Sequence, residues 1–212
     1  MGLLVGLSGG IATGKSSVAR MLVELGALVI DADAIVHELQ APGQPLLQEI
    51  ARAFGPGILR PDGSLDRAAL GDVVFRDPGA RSRLGALTHP PVIAEMRRRA
   101  EAAQARGAEV VVLDIPLLFE GKKAGTGSAV AFDFDLTVLV YAPPALQVER
   151  QIARNGYARD EAERRVAAQM PIEEKKALAD RVIDNSGSLE ETFRQVRALY
   201  AELSARAAAA AP

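Results

Sequence analysis

The stretch "GLSGGIATGKSSVA" (residues 6–19) decides the fold of this chain, because it joins an apolar run to a helical one. It contains the pattern Gly9-x-x-x-x-Gly14-Lys15-Ser16, which is the P-loop pattern that holds nucleotide phosphates. Glycines let backbone N–H groups turn inward around phosphates, and the helix that follows adds the positive end of its dipole. We therefore predict a nucleoside triphosphate site.

The side chains at the end of this loop have separate predicted roles. We expect Lys15 to reach the β- and γ-phosphates and the Ser16 hydroxyl to ligate Mg²⁺. The residues predicted to contact the nucleotide are Gly10, Ile11, Ala12, Thr13, Gly14, Lys15, Ser16 and Ser17.

Apolar runs typical of strands alternate with helical patterns along the chain. Because these runs do not alternate with polar residues, they predict strands buried on both faces, as in a parallel sheet covered by helices. The pattern favours a doubly wound α/β fold of the P-loop kinase type. The five predicted strands are residues 3–7, 27–30, 109–113, 135–141 and 180–184.

Two insertions interrupt the alternation. Residues 39–106 contain several helical patterns, with one helix expected to start at a Pro-Pro turn at 90, and we predict a substrate subdomain there. The Arg-rich residues 145–179 are predicted to form a helical lid, because ligands of parallel sheets bind at the carboxyl ends of the strands. The core is then about 1–38, 107–144 and 180–205, with a flexible loop at 121–135 and a fraying helix end at 205–212.

Composition narrows the choice of partners and compartment. The net charge is −2 and the chain has no cysteine, so neither a nucleic-acid surface nor a disulfide framework is indicated. The beginning of the chain lacks the basic flank of a signal peptide, and no apolar run reaches membrane-spanning length. We expect a cytoplasmic monomer whose partners are small molecules.

Two carboxylates follow predicted strands and are candidates for the chemistry. Asp33, in "DAD" (31–33), could accept the proton of an attacking hydroxyl, or an aspartate of this group could cap the next helix. Asp114 closes the strand beside the P-loop, where it could position magnesium or could end the strand in a turn. The Asn/Thr-Lys-x-Asp motif of GTPases is not in the sequence.

Arg150 and Arg154 lie four residues apart and so share one face of a predicted helix. Two guanidinium groups on one face could clamp a phosphoryl group during transfer. The alternative is an ordinary solvated helix face, and spacing alone favours that alternative.

An ordered set of motifs resembles the dephospho-CoA kinase family over about residues 3–200. "VVVLDIPLLFE" (110–120) is similar to the signature after that family's third strand, and the P-loop at 6–19 matches in place. The other similar motifs are "VIDADAIVHELQAPG" (29–43), "LTHPPVI" (87–93) and "RRVAAQMPIEEKKALADRVIDNSGSLEE" (164–191).

The resemblance implies ATP-dependent phosphorylation of the ribose 3′-hydroxyl of dephospho-CoA, with Asp33 as general base. It implies that Arg150 and Arg154 are lid arginines and that Asn185 is a contact on the adenine side. It also implies that His89 belongs to the substrate-binding region. Through the "DIPLLFE" segment, Asp114 and Leu118 become substrate contacts; no role is assigned to His37.

Two other functions stay open on the residues alone. One is another small-molecule kinase, for example one that phosphorylates a nucleoside monophosphate. The other is a nucleotide-binding module that transfers nothing. ADP release that depends on dephospho-CoA and not on AMP would separate these alternatives.

Overall fold

Five parallel strands form a single sheet in the computed structural model, which describes residues 2–209. Their order across the sheet is β2-β3-β1-β4-β5. The strands are β1 (Leu3–Gly9), β2 (Leu28–Asp31), β3 (Val110–Asp114), β4 (Leu136–Tyr141) and β5 (Arg181–Asp184). All five predicted strands are confirmed within two residues at either end, and so is the parallel α/β fold.

Helices connect these strands on both faces of the sheet. The helices are α1 (Lys15–Leu25), α2 (Ala32–Leu39), α3 (Pro45–Phe54), α4 (Arg67–Arg76), α5 (Pro78–Ala105), α6 (Leu118–Ala124), α7 (Ser128–Ala131), α8 (Pro144–Asn155), α9 (Arg159–Ala167), α10 (Ile172–Leu178) and α11 (Leu189–Ala209), with a 3₁₀ turn at Pro56–Ile58. Within residues 2–209, no helix is both long and apolar enough to cross a membrane.

Burial explains why these runs form a sheet. The inner strands β3 and β4 are buried at nearly every position, whereas the edge strands β2 and β5 expose their ends. Runs of valine and leucine suit a strand that is covered on both faces. On one face, α1 and α11 contribute side chains such as Val18, Leu22 and Leu203 to the main core. On the other face, Phe119 of α6 and Ile172 of α10 pack around Leu139.

The chain divides into two compact units. The first comprises the chain up to Asp31 and from Arg99 onward, and the second runs from Ala32 to Arg98. The second unit has its own core of buried aliphatic residues, among them Leu47, Ile50 and Leu70. Its bounds differ from the predicted substrate subdomain at 39–106, and the role of that region stays a prediction.

The predicted helix start at residue 90 is wrong. Helix α5 begins at Pro78 and continues through His89, Pro90 and Pro91. Asp77 begins this helix, because its carboxylate accepts a hydrogen bond from the Gly79 N–H at 2.8 Å. Leucines on the preceding turns pack into the core of the second unit, and this packing offsets the hydrogen bonds that the prolines cannot make.

The flexible loop predicted at 121–135 is also wrong, because much of this range is helical in α6 and α7. Phe132 is buried and lies 5.8 Å from Phe134, measured between ring centroids. The Lys122 ammonium donates to the Leu178 carbonyl at 2.9 Å, which ties α6 to α10. The predicted helix at the end of the chain is confirmed to Ala209, and residues 210–212 lie outside the described residues.

Candidate active site

The P-loop lies between the carboxyl end of β1 and the first turn of α1, as the sequence predicted. Gly14 has φ 89° directly before Lys15, the first residue of the helix. The Ser17 N–H donates to the Gly14 carbonyl at 2.9 Å, so the loop passes into the helix without a break. The eight residues predicted to contact a nucleotide therefore form one continuous turn at a helix N-terminus, where backbone N–H groups bind anions.

Asn185, which follows β5, binds this loop through its side chain. Its side-chain N–H donates to the Thr13 carbonyl at 2.7 Å, and its oxygen accepts from the Thr192 hydroxyl at 2.8 Å. A Cβ on Gly14 would lie 2.1 Å from this same amide nitrogen, so the position requires glycine for space as well as for its φ angle. The structure thus brings Asn185 to the P-loop, next to where a nucleotide would bind.

Lys15, the first residue of α1, forms an ion pair with Asp114, the last residue of β3. Asp114 ends β3 opposite Leu7 of β1, and its side chain is 5% exposed, against 21% for Lys15. Asp114 also lies opposite Asp31, the last residue of β2. The start of α1 and the ends of β2 and β3 therefore place a cation and two carboxylates at the carboxyl end of the sheet.

Asp33 and His89 belong to the second unit. Asp33 is exposed in the first turn of α2, which begins at Ala32. His89 is an exposed residue of α5, with its ring 3.4 Å from the position that a Cβ on Gly85 would occupy. Their predicted roles toward an acceptor stay predictions.

The two arginines of α8 share a helix face but have different surroundings. Arg150 is half-buried and donates to the Asn185 carbonyl at 2.7 Å, with longer contacts to the carbonyls of Ala12 and Thr13 at 3.5 and 3.4 Å. Arg154 is exposed and donates to the Asn155 side chain at 3.0 Å. Backbone carbonyls of the P-loop and of Asn185 thus hold Arg150, whereas Arg154 contacts the neutral side chain of Asn155.

The arginines at the end of α9 form ion pairs with acidic residues of the same helix. Arg164 pairs with Asp160 and Glu161, both at 2.8 Å, and Arg165 pairs with Glu161 at 2.8 Å. Hydrogen bonds from Arg164 and Arg165 hold the pKa of Glu161 below its ordinary value. These arginines are therefore neutralised locally, which sets Arg154 apart within the predicted lid.

Leu118 is buried, whereas its predicted role as a substrate contact requires an exposed side chain. It is 1% exposed and packs close to Gly6 of β1, while its neighbour Leu117 is 57% exposed. Leu118 therefore stabilises the core beneath the site. A substrate contact from this turn would come from Leu117.

Two functional candidates went unnoticed in the sequence. Gln169, between α9 and α10, accepts a hydrogen bond from the Ile11 N–H at 2.9 Å. Lys175 has a fully buried side chain, and its ammonium lies 2.6 Å from Glu120. Gln169 and Lys175 both fall in the C-terminal motif quoted above, but a glutamine or lysine in a helical stretch carries no local signal of what it contacts.

Few protein oxygen atoms beside the P-loop could ligate a divalent cation. In the part of the chain that the structure describes, no group of three or more His, Cys, Asp or Glu residues could hold a metal. The Ser16 hydroxyl is exposed on the first turn of α1, and the Asp114 carboxylate lies at the adjacent strand end. One hydroxyl and one carboxylate fit Mg²⁺, which usually takes its other ligands from water and substrate phosphates.

A parallel sheet with this loop at the end of β1 and this lysine in the helix that follows defines a P-loop kinase fold. The sequence model of the dephospho-CoA kinase family matches residues 3–191. A dephospho-CoA kinase of Symbiobacterium thermophilum is 52% identical over 197 residues, which cover 93% of this chain and 80% of that protein. The chain belongs to the dephospho-CoA kinase family.

Two solved structures are similar to this chain. The protein TT1252 of Thermus thermophilus has a TM-score of 0.77 and 38% identity, over 95% of this chain and 98% of that one. A dephospho-CoA kinase of Campylobacter jejuni has a TM-score of 0.69 and 26% identity, over 97% of this chain and 99% of that one. The resemblance stated from the motifs is confirmed.

Proposed function

We propose that this chain transfers the γ-phosphoryl group of ATP to the ribose 3′-hydroxyl of dephospho-CoA, which yields CoA and ADP. This is the last step of coenzyme A biosynthesis. The observation that carries the proposal is the family match over residues 3–191, which spans the P-loop, Asp33, Asp114 and the Arg-rich segment together.

The P-loop and Lys15 would bind the triphosphate. Backbone N–H groups at the end of the loop and the helix dipole of α1 favour the negative phosphates. The Lys15 ammonium, paired with Asp114, can move to the β- and γ-phosphates when they compete for it. Its positive charge then lies where negative charge accumulates during transfer.

Ser16 and Asp114 would hold Mg²⁺. When bound, the ion would neutralise charge on the β- and γ-phosphate oxygens. Asp114 is suited to this role because its carboxylate ends the strand beside the P-loop and already pairs with a cation there.

Asp33 would act as the general base. Its carboxylate accepts the proton of the 3′-hydroxyl while that oxygen attacks the γ-phosphorus, and the bond to the β–γ bridging oxygen breaks to release ADP. Asp114, which pairs with Lys15, is the alternative base.

Arg150, Arg154 and Asn185 would complete the nucleotide site. Asn185 is bonded to the P-loop and to Arg150, so we assign Asn185 to the adenine side and keep Arg150 as a lid arginine. Arg154 is the lid arginine with a neutral partner, so we assign it to the phosphoryl group in transfer. His89 and Leu117 are assigned to the acceptor.

A coupled assay of ADP release tests the proposal. We expect turnover with ATP and dephospho-CoA and background rates with AMP or with a 3′-deoxy analogue of the acceptor. Turnover with AMP would instead indicate a nucleoside monophosphate kinase, and ATP binding without any acceptor-dependent turnover would indicate a binding module. That the chain acts as a cytoplasmic monomer stays a prediction from its sequence.

A further inference from the structure

Gln169 contacts the P-loop, although it lies far outside the P-loop motif in the sequence. It lies in the turn between α9 and α10, and its side-chain oxygen accepts a hydrogen bond from the Ile11 N–H at 2.9 Å. Both residues belong to the first unit. A side chain 158 residues away thus determines the direction of a peptide group within the loop.

The residue after Ile11 has an unusual backbone conformation. Ala12 has φ 57°, and among residues 2–209 it is the one non-glycine residue with a positive φ. A non-glycine residue in this left-handed region is strained and persists where its surroundings hold it in place. Gln169 accepts from the N–H of the Gly10–Ile11 peptide, one residue before Ala12, and Asn185 donates to the Thr13 carbonyl, one residue after it, at 2.7 Å.

The turn that carries Gln169 is itself fixed to the core. Ile172, three residues later, is buried against Phe119 and Leu139, and Met170 packs against the same cluster. Lys175 extends this attachment through its buried ion pair with Glu120. The carboxamide of Gln169 is therefore presented from a rigid support.

We infer that Gln169 is a positioning residue for nucleotide binding: by accepting the Ile11 N–H it holds the loop in its strained form and leaves the N–H groups at the end of the loop for the phosphates. A neutral carboxamide suits this place, because a carboxylate would repel the phosphates at close range. The inference rests on the proposed function in one respect, namely that the loop binds ATP.

Replacing Gln169 by leucine removes the acceptor while preserving much of the volume. We expect Q169L to weaken ATP binding, measured by calorimetry without acceptor, by about 5- to 10-fold, the loss that one hydrogen bond typically produces. The KM for dephospho-CoA and the midpoint of thermal unfolding should change little. Q169N, whose carboxamide is one methylene shorter, provides a second route to the same loss.

A second substitution tests the mechanism. A12G removes the penalty of the left-handed conformation, since glycine adopts it readily. We expect the double variant Q169L/A12G to recover most of the lost ATP affinity. We expect no such recovery when A12G is combined with Q169E, because that variant keeps an acceptor oxygen and weakens binding through its charge.

Gln104→Leu is the matched control, since Gln104 donates to the Gly2 carbonyl at 2.7 Å at the opposite end of β1. ATP affinity unchanged in Q169L and Q169N, or lost without recovery by A12G, would overturn the inference. Because binding is measured without acceptor, a wild-type chain that binds ATP but does not phosphorylate dephospho-CoA would refute the proposed function and leave this test valid.

Discussion

Lys15, the first residue of α1, pairs with Asp114, the last residue of β3, and β3 neighbours the strand β1 that leads into the P-loop. The pair lies where the P-loop ends and where a magnesium-bound triphosphate would need both charges. One contact therefore joins the lysine that we assign to the phosphates to the carboxylate that we assign to the metal.

Replacing Lys15 by alanine should nearly abolish phosphoryl transfer. Removal of a charge that stabilises the transition state typically costs several kcal/mol, so we expect kcat to fall by about 1000-fold. Steady-state kinetics measure this loss, and circular dichroism should show an intact fold. Lys123→Ala is the control, because Lys123 forms an exposed pair with Glu174 at 2.7 Å. A K15A variant with near-wild-type kcat would refute the role of the loop.

Asp33→Asn should lower kcat by about 100-fold while ATP affinity changes little, because a general base acts on the acceptor hydroxyl and not on the triphosphate. Saturation kinetics and ATP titration together separate the two effects. Asp72→Asn, at another position in the second unit, should match the wild type. Loss of ATP binding with turnover preserved at saturation would contradict the assignment and favour Asp114 as base.

The lid should respond to substrates over only part of its predicted length. We expect amide hydrogen exchange across about residues 145–170 to slow when ATP and a dephospho-CoA analogue bind together. Helix α10 should be protected with or without ligands, because Ile172 and Lys175 attach it to the core. Mass spectrometry of exchanged peptides measures both regions. Exchange that is equally slow in 145–170 in all conditions would refute the lid.

Arg154→Ala should reduce kcat more than it reduces ATP affinity, since charge on the phosphoryl group grows in the transition state. A loss of about 10- to 100-fold in kcat is expected for a cation of this kind. Arg159→Ala is a matched lid variant, because Arg159 lies 3.9 Å from Glu163 in an exposed pair. If R154A and R159A behaved alike, Arg154 would be an ordinary solvated residue.

Lys175→Met should destabilise the fold, because it leaves the buried Glu120 carboxylate without its cation. Breaking a buried pair from one side typically costs about 3–5 kcal/mol, and the double variant K175M/E120L should recover much of that loss. Urea unfolding of the three proteins measures the difference. An equal destabilisation in the single and double variants would show that the pair contributes through packing alone.

Local sequence was sufficient to predict the five strands, the P-loop and the helix that follows it. Buried parallel strands need continuous apolar runs, and a phosphate loop needs glycines at set spacings, so both can be recognised within a few residues. Helix α5 shows where local rules failed: Pro90 and Pro91 indicated a start, yet a cap at Asp77 and leucine packing begin the helix twelve residues earlier.

The sequence by itself determined the phosphate loop, but the tertiary structure alone decided what surrounds it. Asn185 and Gln169 reach Thr13 and Ile11 across separations of 172 and 158 residues, and Arg150 reaches Ala12 across 138. Such contacts leave no local pattern, because they depend on parallel strands bringing their carboxyl ends to one edge of the sheet. The same geometry separates Arg150 from Arg154, two residues that spacing alone had made equivalent.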